Sequence, residues 1–170
     1  MDIVLKIGIV AATCVAMEAG AWAVHKYIMH KWAWGWHKSH HAHHEHKLEK
    51  NDLFAVLFAL ISISIILLAQ RGYEWLFWVG VGMTVYGCMY FIIHDGLTHG
   101  RWPFRWAPRQ GYLKRLVQAH RLHHAVDGPE NGISFGFLYA PPPKKLSRLL
   151  RERRRAAANS SKRADLVPGE

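Results

Sequence analysis

Thirteen histidines stand in this 170-residue chain, and ten of them follow one pattern written twice. His25-x4-His30 is followed by His37-x2-His40-His41, and His94-x4-His99 is followed by His120-x2-His123-His124. Each HxxHH cluster places its imidazoles at i, i+3 and i+4, one face of a helix. A neutral imidazole offers a nitrogen lone pair without the cost of burying a charge, so it is the commonest metal ligand near neutral pH. A single helical histidine is ordinarily a packing or solvated residue, but a doubled array reads as two half-sites that meet around metal. Ten imidazoles exceed the four that satisfy a structural zinc. Shared between two ions at about five each, they leave room on each for substrate or oxygen. Nitrogen ligation suits Fe, Zn, Cu or Ni and does not choose among them. Both cysteines, Cys14 and Cys88, lie in apolar blocks, and no C-x-x-C occurs, so a thiolate zinc or iron–sulfur site has no support.

The elements that must hold these histidines are membrane helices. The chain is 51% hydrophobic yet carries a net charge of +10, two extremes that a soluble domain rarely combines. The apolar residues are blocked: 53–69 and 75–93 contain no charged residue, and 3–24 contains only Lys6 and Glu18. Each block approaches the ~20 residues that an α-helix needs to cross a bilayer. The first is read as a retained transmembrane helix. A cleaved leader, suggested by the small residues at Ala19-Gly20-Ala21, would strand His25 at a loose terminus. Glu18 lies deep and should face protein. Residues 53–69 and 75–93 form a helical hairpin turned at Gln70 to Glu74, with Gly80, Thr84 and Gly87 as a small-residue stripe for close packing.

Of the 22 Lys and Arg residues, 20 fall in 25–52 and 94–170, with Lys6 and Arg71 the exceptions. The excess of positive charge on cytoplasmic loops then sets the orientation: an outside N-terminus, three crossings, and all 13 histidines on the cytosolic face. His25 and His30 are five apart, about 140° on a regular helix of ~3.6 residues per turn. Either the helix ends or bulges between them, or they serve different ions. Asp95 can steady a neighbouring imidazole through its second ring nitrogen. Residues 112–124 read as a helix. The run 133–139 is too short to span; it is read as re-entering the interface and lining an apolar pocket, and counts as a fourth membrane segment only in that sense. His43, His44 and His46 have no counterpart in the second half and read as a solvated metal-collecting tract or as neutral variation. The expected fold is all-α: one membrane-embedded domain over 1–155 and a disordered basic tail over 156–170, with no nucleic-acid partner.

Beyond the histidines, the chain carries Asn51-Asp52-Leu53, Arg101-Trp-Pro-Phe-Arg105, Gly111-Tyr-Leu-Lys-Arg115, Ala119-His-Arg-Leu-His-His-Ala125 and Ser134-Phe-Gly-Phe-Leu-Tyr-Ala-Pro-Pro142. With the four histidine boxes, these resemble the fatty acid hydroxylase superfamily over residues 20–146, and within it the bacterial β-carotene 3-hydroxylases. The resemblance implies a non-haem di-iron, O2-dependent monooxygenase. Its two irons would be held by His25, His30, His37, His40, His41, His94, His99, His120, His123 and His124. Electrons would pass from NAD(P)H through a ferredoxin reductase and a ferredoxin-type donor. The substrate would be a carotenoid drawn from the bacterial inner membrane, hydroxylated at carbon 3 of each β-ionone ring to β-cryptoxanthin and zeaxanthin. The pocket should open laterally, with Phe91, Phe135, Phe137 and Tyr139 as candidate lining. Two departures from the pattern, the His43 to His46 tract and Pro129 with Asn131, are expected to touch no ligand. The rivals within this chemistry are a carotenoid ketolase and a sterol or fatty-acid hydroxylase or desaturase. The rival outside it is a metal transporter, disfavoured because transport sites lie at the bilayer midplane, where these apolar blocks contain no histidine.

Overall fold

A computed structural model describes residues 1–42, 48–103, 106–126, 128–130 and 132–164, and every element among them is helical. Helix α1 (Ile3–Val24) starts where the Asp2 side chain accepts the Leu5 amide at 2.9 Å, filling one orphan donor of the first turn. It runs on through a π-helical turn, His25–Met29. Helix α2 (Trp34–His41) is short. Helices α3 (Asp52–Ala69) and α4 (Glu74–Tyr90) form the hairpin, and α4 continues through a second π-helical turn, Phe91–Thr98. Helices α5 (Gly111–His124) and α6 (Pro143–Ala164) follow.

Three stretches are long and apolar enough to cross a membrane: Ile3–Met29, Asp52–Ala69 and Glu74–Thr98. No fourth exists among the described residues, and 133–139 is irregular rather than helical. Their side chains explain why water is the wrong solvent. Ile3, Val4, Ile7 and Val15 of α1 and Leu57, Leu60, Leu67 and Leu68 of α3 are exposed, a continuous apolar surface that only a bilayer satisfies.

Helix α4 lies between α1 and α3, packing on both. Ser62 donates to the Gly80 carbonyl at 3.0 Å, and its hydroxyl meets that of Thr84 at 3.0 Å. A Cβ at Gly80 would fall 2.4 Å from Ile66 Cγ1, so glycine is what brings α3 and α4 together. The Cys14 thiol points to the Gly82 carbonyl at 3.4 Å and ties α1 to the same level. The stripe anticipated from sequence is therefore partly right: Gly80 and Thr84 pack against α3, but Gly87 has open space where its side chain would be. At the far end, Glu74 pairs with the amino terminus at 3.2 Å and with Lys6 at 3.5 Å. Toward the histidines the three helices separate around a cavity.

Outside the spans, α6 buries Leu146 and Leu150 against Leu116 and Ala119 of α5 and against Val126, Ile133 and Ala140. Over 156–164, where a disordered tail was expected, the backbone is helical to Ala164; residues 165–170 lie outside the described residues. The basic residues that suggested a solvated tail are the polar face of an amphipathic helix whose leucines are anchored further back.

Candidate metal centre

The two x4 spacings are explained by the π-helical turns. His30 N–H donates to the His25 carbonyl at 3.0 Å, and His99 N–H to the His94 carbonyl at 3.0 Å. An i→i+5 bond stacks the fifth residue one turn above the first, so two imidazoles that a regular helix would splay come to one side. Thr98 supports the widened turn by donating its hydroxyl to the Ile93 carbonyl, five residues back, at 2.9 Å.

Helix α2, helix α5 and the two π-turns then gather the histidines into two groups. His25, His30, His37, His41 and His123 form one, and His40, His94, His99 and His120 the other, each with its candidate ligand atoms within 4.8 Å of one another. His124 belongs to neither set by that measure, yet its Nε2 lies 2.8 Å from Nε2 of His120 and its ring stacks on His41 at 4.5 Å. It stands on the wall between the groups. Each group mixes both halves of the repeat, with one imidazole crossing over in each: His123 joins four from the first half, and His40 joins three from the second.

The tautomers follow from the partners of the second ring nitrogen. His25 Nδ1 faces the Phe135 carbonyl at 2.9 Å, His30 Nδ1 the Pro129 carbonyl at 3.1 Å, and His123 Nδ1 the Ile133 carbonyl at 2.7 Å. His37 Nδ1 meets Asn51 Oδ1 at 2.7 Å, His40 Nδ1 meets Glu49 Oε2 at 2.9 Å, and His94 Nδ1 meets Asp95 Oδ1 at 2.7 Å. All six partners are oxygens that only accept, so each Nδ1 carries the proton and each Nε2 presents a bare lone pair. Those Nε2 atoms face one another: His25 and His37 at 3.1 Å, His30 and His123 at 3.2 Å, His40 and His94 at 3.0 Å. Two lone pairs so placed repel unless a cation lies between. Metal–nitrogen bonds of about 2.0–2.1 Å at right angles give an N···N edge of about 3.0 Å. The donor set therefore fits a metal ion in each group.

Burial keeps these imidazoles neutral. His25 and His30 are each 1% exposed and His123 is fully buried. Burial first, and repulsion from neighbouring imidazoles after it, pulls His41 down to about 3 and His124 to about 2. For His37 burial dominates again, the Asn51 bond opposes it, and the result is about 4. His40, His120 and His123 are held well below the ordinary imidazole range by the same causes.

Around the second group lies a charged ring that sequence reasoning named only in part. Asp95 was anticipated. Glu49 was not, and Arg101 binds Glu49, Asp52 at 2.8 Å and Asp95 at 3.6 Å together. Burial lowers the Arg101 pKa, but its bonds to Asp52 and Glu49 outweigh that and raise it. The Asn51-Asp52 and Arg101 motifs were visible signals. The three main-chain carbonyls were not, since any residue supplies one. Pro129, set aside as touching no ligand, holds His30 through its carbonyl; Asn131 and the His43, His44 and His46 tract lie outside the described residues.

A cavity of about 740 Å³ runs among α1, α3 and α4 and ends on His25, His37 and His94, reaching both groups. Phe91 and Phe137 line it. Phe137 sits at its inner end, stacked on His25 at 5.6 Å and edge-on to His94 at 5.4 Å. Two candidate lining residues are misplaced. Phe135 packs edge-on to His25, His30 and His123 and faces a different cavity, and Tyr139 is 69% exposed. The segment is irregular, so the i, i+2, i+4 spacing that would put Phe135, Phe137 and Tyr139 on one face of a strand does not hold here.

A family model described as fatty acid hydroxylase matches residues 10–140. The chain belongs to the fatty acid hydroxylase family. Its family relatives include the beta-carotene hydroxylase of Pantoea ananas, 56% identical over 156 residues, which cover 92% of this chain and 89% of that protein. The beta-carotene hydroxylase of Paracoccus sp. (strain PC1) is 57% identical over 146 residues, 84% of this chain and 89% of the relative. The chloroplastic beta-carotene 3-hydroxylase of Haematococcus lacustris is 38% identical over 143 residues, 78% of this chain and 42% of the relative. No solved structure matches the chain.

Proposed function

We propose that this chain is a two-iron, O2-dependent monooxygenase of the inner membrane that hydroxylates carbon 3 of β-ionone rings, converting β-carotene to β-cryptoxanthin and zeaxanthin. The observation that carries the reading is the apolar cavity, which lies among membrane-spanning helices and ends on imidazoles of both groups. Relatives named beta-carotene hydroxylase at 56% and 57% identity support it. So does the polar chemistry of the cavity wall. Asn51, Ser62, Thr84, Tyr86 and Asp95 are each hydrogen-bonded within the protein. Trp102 Nε1, on the same wall, is the exception, without a partner; so sparse a set of free polar groups favours a hydrocarbon over a fatty acid or sterol, whose polar ends would need partners.

His25, His30, His37, His41 and His123 would hold one iron. His40, His94, His99 and His120 would hold the other, with His124 beside them. Iron with O2 supplies the oxidising power against an unactivated C–H bond that no side chain has. The chain's own residues do the rest. The cavity excludes water and aligns a ring against Phe137. Glu49 and Asp95 raise the donor strength of His40 and His94, whereas neutral carbonyls serve His25, His30 and His123, so the two positions are electronically unequal.

The balance is one C–H, one O2, two electrons and two protons to one C–OH and one water. The electrons would come from NAD(P)H through a ferredoxin reductase and a ferredoxin. Support for an acidic protein donor is a second cavity of about 440 Å³ that reaches His30 and whose lining carries more cations (Lys26, Lys31, Lys145, Arg148, Arg153) than acids (Glu130, Glu152). The same crowding of Lys and Arg beside the histidines supports a cytoplasmic active face. The test is expression in cells that make β-carotene, followed by pigment analysis. Zeaxanthin and β-cryptoxanthin are expected; a 4-keto product or unchanged β-carotene would overturn the reading.

A further inference from the structure

Glu18 is an ionisable residue within a membrane-spanning helix, and such residues are costly unless they are used. Its carboxylate is fully engaged, and every partner lies on another segment. Oε1 accepts the backbone N–H groups of Phe137 at 3.0 Å, Leu138 at 3.0 Å and Tyr139 at 2.9 Å. Oε2 accepts the Tyr86 hydroxyl of α4 at 2.7 Å. Three successive amides turned to one oxygen form an anion-binding nest, here filled by the protein's own carboxylate. The fit is close: a Cβ at Gly136 would fall 2.7 Å from Glu18 Oε1 and 2.6 Å from the Tyr139 carbonyl.

The loop that Glu18 grips is the one that faces the first histidine group. Ile133 and Phe135 turn their carbonyls to His123 and His25 across Ser134, whose φ of 58° is a strained conformation for a non-glycine residue. Glu18 grips the residues directly downstream, Tyr86 braces Glu18, and the loop is held at both the imidazoles and the membrane helix.

We propose that Glu18 is a positioning residue for one metal position only, that of His25, His30, His37, His41 and His123. It fixes the 133–139 loop so that two backbone carbonyls set the tautomer and aim of His25 and His123. The second group takes its hydrogen-bonded support from Glu49 and Asp95 instead, and the loop meets it only through the Phe137 ring, against His94 and His120. The inference rests on the two-ion centre proposed above, and it predicts a selective loss that general destabilisation would not produce.

The experiment is metal analysis of the full chain purified in detergent, as wild type, Glu18→Ala, Glu18→Gln and His123→Ala, with helix content followed by circular dichroism. Wild type should carry two ions. Glu18→Ala should keep its helix content and fall to one, with the remaining ion giving the same spectroscopic signature as the one retained by His123→Ala. Glu18→Gln keeps the shape and an acceptor oxygen but loses the charge. It should release one ion at a chelator concentration about tenfold or more below wild type while the other is unchanged. If Glu18→Ala does not fold, the chelator titration of Glu18→Gln decides alone. Equal weakening of both ions, or no weakening of either, would overturn the proposal. A wild-type chain that binds no pair of ions would overturn the centre itself, and this inference with it.

Discussion

At the scale of single residues, the centre depends on imidazoles that are neutral because they are crowded and dry. That state has a cost on the acid side. In the unfolded chain a histidine takes up its proton near the ordinary value of about 6.5, whereas folded His37, His41 and His124 hold out to about 4, 3 and 2. Between those limits the unfolded state binds more protons, so stability must fall as pH falls. Thermal unfolding of metal-free protein should move to lower temperature from pH 7 to pH 5. Loaded protein should resist until protons displace the ions. A melting temperature independent of pH across that window would show that the imidazoles are not so deprotonated. The gathering of nine of the ten histidines into two groups was legible, because repeated histidine spacing is a chemical signal carried by side-chain identity. The Pro129, Ile133 and Phe135 carbonyls were not legible, since backbone oxygen leaves no mark in a sequence. Glu49 was overlooked because it lies between a histidine tract and an apolar block, where an acid reads as solvated surface.

At the scale of elements, the spans were legible from block hydropathy, and the site end of each was legible from where the histidines begin. What the pattern left open was the choice between a broken helix and separate ions at His25 and His30. The π-turn resolves it, and the hydrogen-bond register that makes a π-turn is a property of backbone that neither histidine spells. The position of the cavity was equally hidden. Gly80 and Gly87 look alike in a small-residue stripe, yet Gly80 meets Ile66 and Gly87 borders the cavity. Their substitutions should therefore behave differently. Gly80→Val forces overpacking between α3 and α4 and should destabilise by about 1–3 kcal/mol, read as a lower melting temperature. Gly87→Leu enters open space and should leave melting and bound metal unchanged. It should fill the cavity and reduce β-carotene conversion about tenfold, roughly 1.4 kcal/mol in transition-state terms. Unchanged conversion in a folded, loaded Gly87→Leu protein would mean that substrate reaches the imidazoles by another path.

At the scale of the whole molecule, two cavities approach one buried centre from opposite chemistries. The apolar one rises from the lipid-spanning helices and touches both histidine groups, and the one rimmed by Lys and Arg opens beside α6 and touches His30. Under the proposed function, separate entrances would let a hydrocarbon stay in the membrane while a water-soluble donor works from the aqueous side. Basic residues at the second entrance would steer an acidic donor, and such steering weakens as salt shortens the Debye length, about 10 Å at 0.1 M. Turnover driven by reduced ferredoxin should accordingly fall as ionic strength rises. Lys31→Glu combined with Arg148→Glu, both exposed and neither a candidate ligand, should lower that turnover about tenfold through slower association. Single turnover of the same variant driven by dithionite, a small reductant that needs no docking face, should match wild type, as should its bound metal. Equal losses with both reductants would place the damage in the centre rather than at the entrance, and the donor would then have to approach by the other face.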